Sequence, residues 1–185
     1  MEGDHRVRSL SGEEVAARAE ALGAILLDCI AGGASIGFMA GTSREAARRF
    51  FEEAGAAVAR GERVLLVAEA PDGTPMGTVQ VGFAPQDNQP HRGDLFKMLV
   101  ARRYRRAGIG AALMAAAEAA ALAAGRDLLV LDTGTPEAAR LYERAGWRRV
   151  GMVPRYALNP DGSVCDTTFY YKDLRGAGGT LTAAR

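Results

Sequence analysis

Between Leu95 and Met114 the chain reads LFKMLVARRYRRAGIGAALM, a stretch whose residue types could seat a diphosphate. Gly108 and Gly110 open an alanine-rich run, and a helix start exposes N–H groups without intrahelical partners and carries positive partial charge. Glycine lets an anion come close to such a backbone. Arg105 and Arg106, beside Arg102 and Arg103, add charge and forked donors. The candidate seat is therefore Arg105, Arg106, Ala107, Gly108, Ile109, Gly110 and Ala111. Ahead of it, Leu95, Phe96, Met98, Leu99 and Val100 form an apolar run interrupted only by Lys97, which suits a buried strand. The dinucleotide fingerprint would need a third glycine where Leu113 stands, and no glycine is followed by Lys and Ser or Thr as a Walker loop requires.

Two carboxylates flank this stretch in candidate strand positions. Asp94 enters the strand, and Asp132 closes a second apolar run, Leu128–Leu131. Carboxylates so placed can bind a cation or take a proton. An amine of pKa ~8–10 is mostly protonated at neutral pH, and a carboxylate can take its proton directly or through water. Asp132 has the better placement, because open α/β sheets bind ligands at the C-terminal ends of strands. As opposite ends of a parallel pair, the two carboxylates need not act together. Both are candidates for holding the acceptor amine. Phe38 and Met39 lie in Gly32–Ala40, which is too glycine-rich for a helix and too apolar for a solvated loop. Either it folds back on the core or it lines a substrate site.

The elements that must position these residues follow from pattern. Arg6–Leu10 reads as a short strand. Ser11 and Glu14 have capping-box spacing at the start of a helix ending near Gly32-Gly33. Thr42 or Ser43 caps a second helix to about Arg60, with Phe50 and Phe51 inward. Val64–Ala68 and Met76–Phe83 read as antiparallel strands about the turn Pro71-Asp72-Gly73, with Val79, Val81 and Phe83 on one face. A helix over Gly108–Ala124 follows the basic turn. Thr135 caps another that has Pro136 in its first turn and ends at Gly146. Trp147–Val153 and Thr167–Lys172 form a last antiparallel pair. The fold class is α/β: a mixed, mostly antiparallel sheet flanked by about four helices, spanning residues 1–174. A tail from Arg175 has little to bury and is expected to be mobile.

The 185 residues suffice for one domain with a real core. Net charge is +1, so no electrostatic case exists for nucleic acid or an anionic membrane. Cys29 and Cys165 have no Cys or His at ligand spacing, and His5 and His91 are the only histidines, so no metal site is expected. Met1–Asp4 is polar, Ala24–Leu27 is broken by Asp28, and no stretch is long enough to span a bilayer, which makes the cytoplasm the expected location.

Arg105-x-x-Gly108-x-Gly110 after a strand resembles the acetyl-CoA motif [RQ]-x-x-G-x-[GA] of the GNAT acyltransferases. Downstream, Thr135-Pro-Glu-Ala138-Ala-Arg-Leu141-Tyr142 through Gly146-Trp147 resembles that superfamily's N-x-x-A-x-x-L-Y-x-x-x-G-[FW] segment, with Thr135 at the Asn position. The resemblance implies the GNAT fold, acetyl-CoA as co-substrate and an amine acceptor. It implies that Met98, Leu99 and Val100 pair with the pantetheine as a substitute strand. It also implies an oxyanion donor at the amide of Leu99 or Val100, contact of the carrier with Thr135, and proton return to the thiolate from Tyr142. A narrower resemblance is to the tabtoxin resistance proteins, which acetylate the amine of a β-lactam toxin moiety. It rests on Gly32–Ala40, Leu131-Asp132-Thr133, Pro160-Asp161-Gly162 and Tyr171-Lys172, with Asp94 where Glu stands in those relatives. The partner implied is a small amino-acid-like amine. A homodimer is compatible with the chain.

Overall fold

The computed structural model describes residues 5–175. Seven strands form one sheet: β1 (Arg6–Ser9), β2 (Arg63–Glu69), β3 (Pro75–Phe83), β4 (Arg92–Val100), β5 (Leu128–Thr133), β6 (Arg148–Leu158) and β7 (Val164–Asp173). Their order is β1-β2-β3-β4-β5-β7-β6, and only β4 and β5 run parallel. Five helices cover it: α1 (Gly12–Ala17), α2 (Ala19–Ala31), α3 (Arg44–Ala59), α4 (Ile109–Ala123) and α5 (Pro136–Arg144). The sequence pattern predicts about four. The difference is a break at Arg18 in the first helix, where the backbone leaves helical geometry and the guanidinium pairs with the buried Glu69. Arg8 reaches the same carboxylate, so β1, β2 and the α1–α2 junction share one ion-pair cluster.

Local chemistry explains most boundaries. The Ser11–Glu14 capping box opens α1, and Ser43, rather than Thr42, caps α3 through the Ala46 amide. Thr135 caps α5 with Pro136 behind it. The apolar residues then sort onto the two faces of the sheet. Leu22, Leu26, Phe51, Leu65, Val67 and Leu99 form the core under α1–α3. Val79, Val81, Leu95, Leu113, Leu129 and Tyr170 form the core under α4 and α5. Burying each such side chain contributes about 1.5–3 kcal/mol. On the α4 side, Glu118 accepts from Trp147 and Lys172, and Lys172 also donates to the Ala145 carbonyl. That ties α4, the end of α5 and β7 together, and gives Lys172 a structural post.

The feature that makes a site is where strands part. β5 pairs with β4 only from Leu128 to Val130, against Arg92 to Asp94. Beyond Asp94, β4 keeps β3 on one side and leaves its other edge free. A bulge also interrupts β4 between its pairings of Phe96 and Leu99 with β3, and at it Lys97 adopts φ 51°. A left-handed backbone at a residue with a long side chain is uncommon and costs energy. The tail reading from Arg175 onward lies outside the described residues except for Arg175, which pairs with Asp127 and Asp173.

Candidate functional site

The end of β4 runs into a 3₁₀ turn at Arg102–Tyr104 and then into α4. Gly108 stands at the helix N-cap with φ 81°, a conformation that favours glycine, and no side chain caps the helix. The amides of Ala107, Gly108, Ile109, Gly110 and Ala111 therefore lack protein acceptors among the described residues. At Gly110 a Cβ would stand 3.2 Å from the end of the Leu141 side chain, a tight contact that Leu141 would have to yield to. Arg106 is exposed and left-handed, with φ 69°. Arg105 is exposed too, but its Nε turns back to donate to the Val100 carbonyl at 3.4 Å. Asp28 fixes the turn from outside, accepting from the Arg102 amide at 2.6 Å and from its Nε at 2.9 Å. Burial opposes ionisation of Asp28, yet the two Arg102 donors outweigh it and lower its pKa. Sequence reading singles out Arg105–Ala111 but not Asp28, whose partner lies 74 residues away.

The free edge of β4 is presented residue by residue. The Ala101 amide donates to Met76, and register pairs Leu99 with Thr78 and Val100 with Gly77. In an antiparallel ladder successive residues alternate between facing the partner and facing away. Leu99 therefore turns its amide toward β3, and Val100 turns its amide to the open edge. Of the two expected oxyanion donors, the geometry presents Val100. The Val100 carbonyl, by contrast, already accepts from Arg105 and from the buried Cys29 thiol.

The two carboxylates share one face of adjacent strands. Asp94 registers with Val130, so Asp132 lies two residues further along β5 on the side away from α4. The two do lie toward opposite ends of their parallel strands, as expected, but the overlap is short and the start of β4 meets the middle of β5, which leaves them only two register positions apart. Asp94 pairs with Arg92 at 2.6 Å and is about half exposed. Asp132 is exposed as well, but it has a buried partner on the neighbouring strand. Thr167, almost fully buried on β7, donates to its Oδ2 at 3.2 Å. Its charge also acts on Lys97 and on Tyr142.

Tyr142 is 5% exposed and stacks obliquely on Trp147 and Tyr170. Burial raises its pKa, and Asp132 raises it further, so the phenol stays protonated. Its hydroxyl has no hydrogen-bond partner among the described residues. The Thr135 hydroxyl caps α5, accepting from the Ala138 amide at 3.4 Å.

The Gly32–Ala40 segment does both things its composition allowed. Phe38 packs edge-on against Phe50 on α3 at 5.3 Å and helps close the core. The segment also roofs the gap between β4 and β5, because Ser35 donates to the Leu158 carbonyl and the Ala40 amide to that of Pro160. Met39 is 44% exposed, and its carbonyl accepts from the Thr42 hydroxyl at 2.7 Å. Lys97, read in sequence only as an interruption of an apolar run, is the group that sequence reasoning missed here. The signal was that same interruption. A separate cavity of ≈ 380 Å³ lies between α2 and the β2–β3 turn, and none of the expected site residues lines it.

Residues 37–147, more than half of the chain, match the acetyltransferase (GNAT) family. The chain belongs to that family. It is an acetyl-CoA-dependent N-acetyltransferase. Solved structures of low sequence identity share its fold. YncA from Salmonella typhimurium, a proposed acetyltransferase solved with acetyl-CoA, superposes with a TM-score of 0.77 at 19% identity over 98% of this chain and 100% of that one. A ribosomal-protein-alanine N-acetyltransferase from Brucella melitensis gives 0.74 at 24% identity over 91% and 99%. A protein proposed to be a phosphinothricin N-acetyltransferase gives 0.74 at 20% identity over 92% and 98%.

The residues present fit the co-substrate of this acetyltransferase. Its α4 amides lack a side-chain cap, the left-handed Gly108 leaves open space where a Cβ would stand, and β4 offers a free edge. Anion, close backbone approach and added strand are the three demands that a pyrophosphate on a pantetheine arm makes. The described residues hold no cluster of His, Cys, Asp and Glu that could bind a metal ion, and no helix long and apolar enough to cross a membrane.

Proposed function

We propose that this N-acetyltransferase modifies the amine of a small, amino-acid-like molecule by direct attack, a β-lactam toxin or antibiotic of the tabtoxin type being one candidate acceptor. One observation carries the reading: Asp132 stands at the C-terminal end of β5, where β4 and β5 part, braced by Thr167 and acting on both Lys97 and Tyr142. That is where an amine would meet a thioester lying along the free edge of β4.

Acetyl-CoA supplies the activated acyl group, and the chain's residues do the rest. The amides of Ala107–Ala111, with Arg105 and Arg106, hold the diphosphate. Met98 and Val100 accompany the pantetheine along the strand edge, beside Thr135. Asp132 binds the acceptor's ammonium and removes its proton, directly or through water. Asp94 serves as the second carboxylate of the same face. The Val100 amide faces the developing oxyanion. Tyr142, kept protonated by its surroundings, returns a proton to the thiolate. Phe38 and Met39 belong to the loop above the acceptor.

Residues 1–174 are proposed to form a single acetyltransferase domain. The cytoplasm, where acetyl-CoA is made, accords with two unbridged cysteines. A homodimer is proposed through β6, the outer strand of the sheet. With the neighbouring end of β7 it exposes Val150, Met152, Val153, Tyr156, Leu158 and Val164. Light scattering of the purified protein checks this, and a monomer at micromolar concentration removes it.

The deciding test is release of CoA thiol from acetyl-CoA across a panel of small amines, L-amino acids, β-lactam amino acids and short peptides. Turnover of small amines is expected. Turnover of peptides alone would replace this reading with a protein-modifying one. Binding of acetyl-CoA without turnover of any acceptor would leave a carrier-binding module.

A further inference from the structure

Among the described residues Lys97 is the one ammonium at the gap between β4 and β5, and it is placed there at a cost. Its backbone is left-handed at the bulge, with φ 51°. The side chain rises from β4 beneath the α2–α3 loop. Its Nζ lies 5.6 Å from the Phe38 ring centroid and 5.8 Å from that of Phe50. Gly37 passes directly above, with space for a Cβ 3.5 Å from Nζ.

An ammonium carries three donors and no acceptor. Phenyl faces attract its charge but accept no strong hydrogen bond. No carboxylate, carbonyl or hydroxyl oxygen among the described residues accepts from Lys97. Asp132 acts on it through charge alone, beyond ion-pair distance. Burial accordingly lowers its pKa, with Asp132 opposing the shift. The donors of this half-buried cation are thus left to solvent or to a ligand, since no described residue accepts from them.

We propose that Lys97 selects the acceptor by binding an oxyanion on it, so that the preferred substrates are amines bearing a carboxylate. The inference rests on the acceptor site described above. With the acceptor's ammonium at Asp132 and its carboxylate at Lys97, a zwitterion places each charge against its opposite. The Phe38 and Phe50 rings then exclude water from the second pair and strengthen it.

Isothermal titration of the CoA-saturated protein with L-amino acids and their carboxamides tests this without requiring turnover. The wild type is expected to bind an acid about tenfold or more tighter than its amide. Lys97→Met is expected to erase that preference, and Lys97→Arg to keep most of it. Cooperative thermal unfolding checks that both variants fold. Equal binding of acid and amide by the wild type, a preference that survives in Lys97→Met, or no binding of any panel member overturns the proposal. If neutral amines are acetylated as well as acids, the acetyltransfer reading stands and this one falls. If acids bind through Lys97 but none is acetylated, the reverse holds.

Discussion

The two ends of β4 solve recognition in different ways. At its C-terminal end the groups proposed to face the carrier are backbone amides from one continuous turn, Ala107 to Ala111, with exposed arginines beside them. At its bulge the groups are side chains from five separate places: Lys97 on β4, Asp132 on β5, Thr167 on β7, Phe38 in the α2–α3 loop and Phe50 on α3. A grip made of backbone tolerates changes of side chain, provided the turn keeps its shape. A site made of converging side chains fails when a single atom changes. Substitutions at the two ends should therefore separate cleanly, the carrier end moving KM for acetyl-CoA and the acceptor end moving turnover.

The largest effect is expected at Asp132. Asp132→Asn keeps the shape and can still accept from Thr167, but it removes the proposed base and the charge that acts on Lys97 and Tyr142. The value of kcat/KM for the acceptor is expected to fall about 10²-fold or more, with KM for acetyl-CoA unchanged. Steady-state kinetics with both substrates varied checks this. A parallel rise in KM for acetyl-CoA would break the division between the two ends. Asp94→Asn, at a carboxylate already paired with Arg92 in solvent, is expected to have the smaller effect of the two.

What could be read in the sequence follows the same division. The seat at Arg105–Ala111, the caps at Ser11 and Thr135 and the stops at Gly32 and Gly146 depend on neighbours within a few residues, and local pattern reveals them. The pairing of Asp94 with Val130, the Asp28–Arg102 link and the posture of Lys97 depend on contacts across the chain. Spacing alone carries no trace of those. The break at Arg18 was hidden for the same reason, since its partner Glu69 is on β2. Asp94, Asp132 and Phe38 stand out in the sequence as candidates for the proposed acceptor site, whereas Lys97 shows there only as an interruption of an apolar run.

Tyr142→Phe comes next. Burial and Asp132 both favour the neutral phenol, so the proton is available throughout the working range. Loss of the hydroxyl is expected to lower kcat about ten- to a hundredfold with little change in KM for acetyl-CoA. In the wild type no fall in kcat with rising pH is expected from Tyr142 at or below its ordinary value of 10.0. A pH–rate profile checks the sign. A falling limb near pH 9 that disappears in Tyr142→Phe would show an ordinary or lowered pKa.

At the carrier end, Gly108→Val puts a β-branched residue at φ 81°. Nothing blocks its side chain, so the cost is in the backbone. Strain of about 1–3 kcal/mol is expected to be relieved by a shift of the turn. KM for acetyl-CoA should then rise about tenfold, with kcat for bound substrates nearly intact. A collapse of kcat with KM preserved would mean that the turn positions the acyl group and does more than hold phosphates.

The smallest effect should come from Asp28→Asn, which acts on the same turn from behind. The amide keeps one acceptor for the Arg102 backbone N–H but gives up the charged contact with its guanidinium. A partly exposed ion pair contributes little, so KM for acetyl-CoA is expected to rise only about threefold. The pH dependence follows from the lowered pKa of Asp28. A carboxylate whose folded pKa is depressed contributes its full share above the unfolded value, near 3.8, and loses it as pH falls through the folded value. Wild type and variant should therefore differ by a constant factor from about pH 5 to 9 and converge only in stronger acid. Measured KM values that draw together between pH 5 and 7 would mean that Arg102 does not hold the carboxyl group ionised. The turn would then owe its shape to Gly108 and the left-handed Arg106 alone.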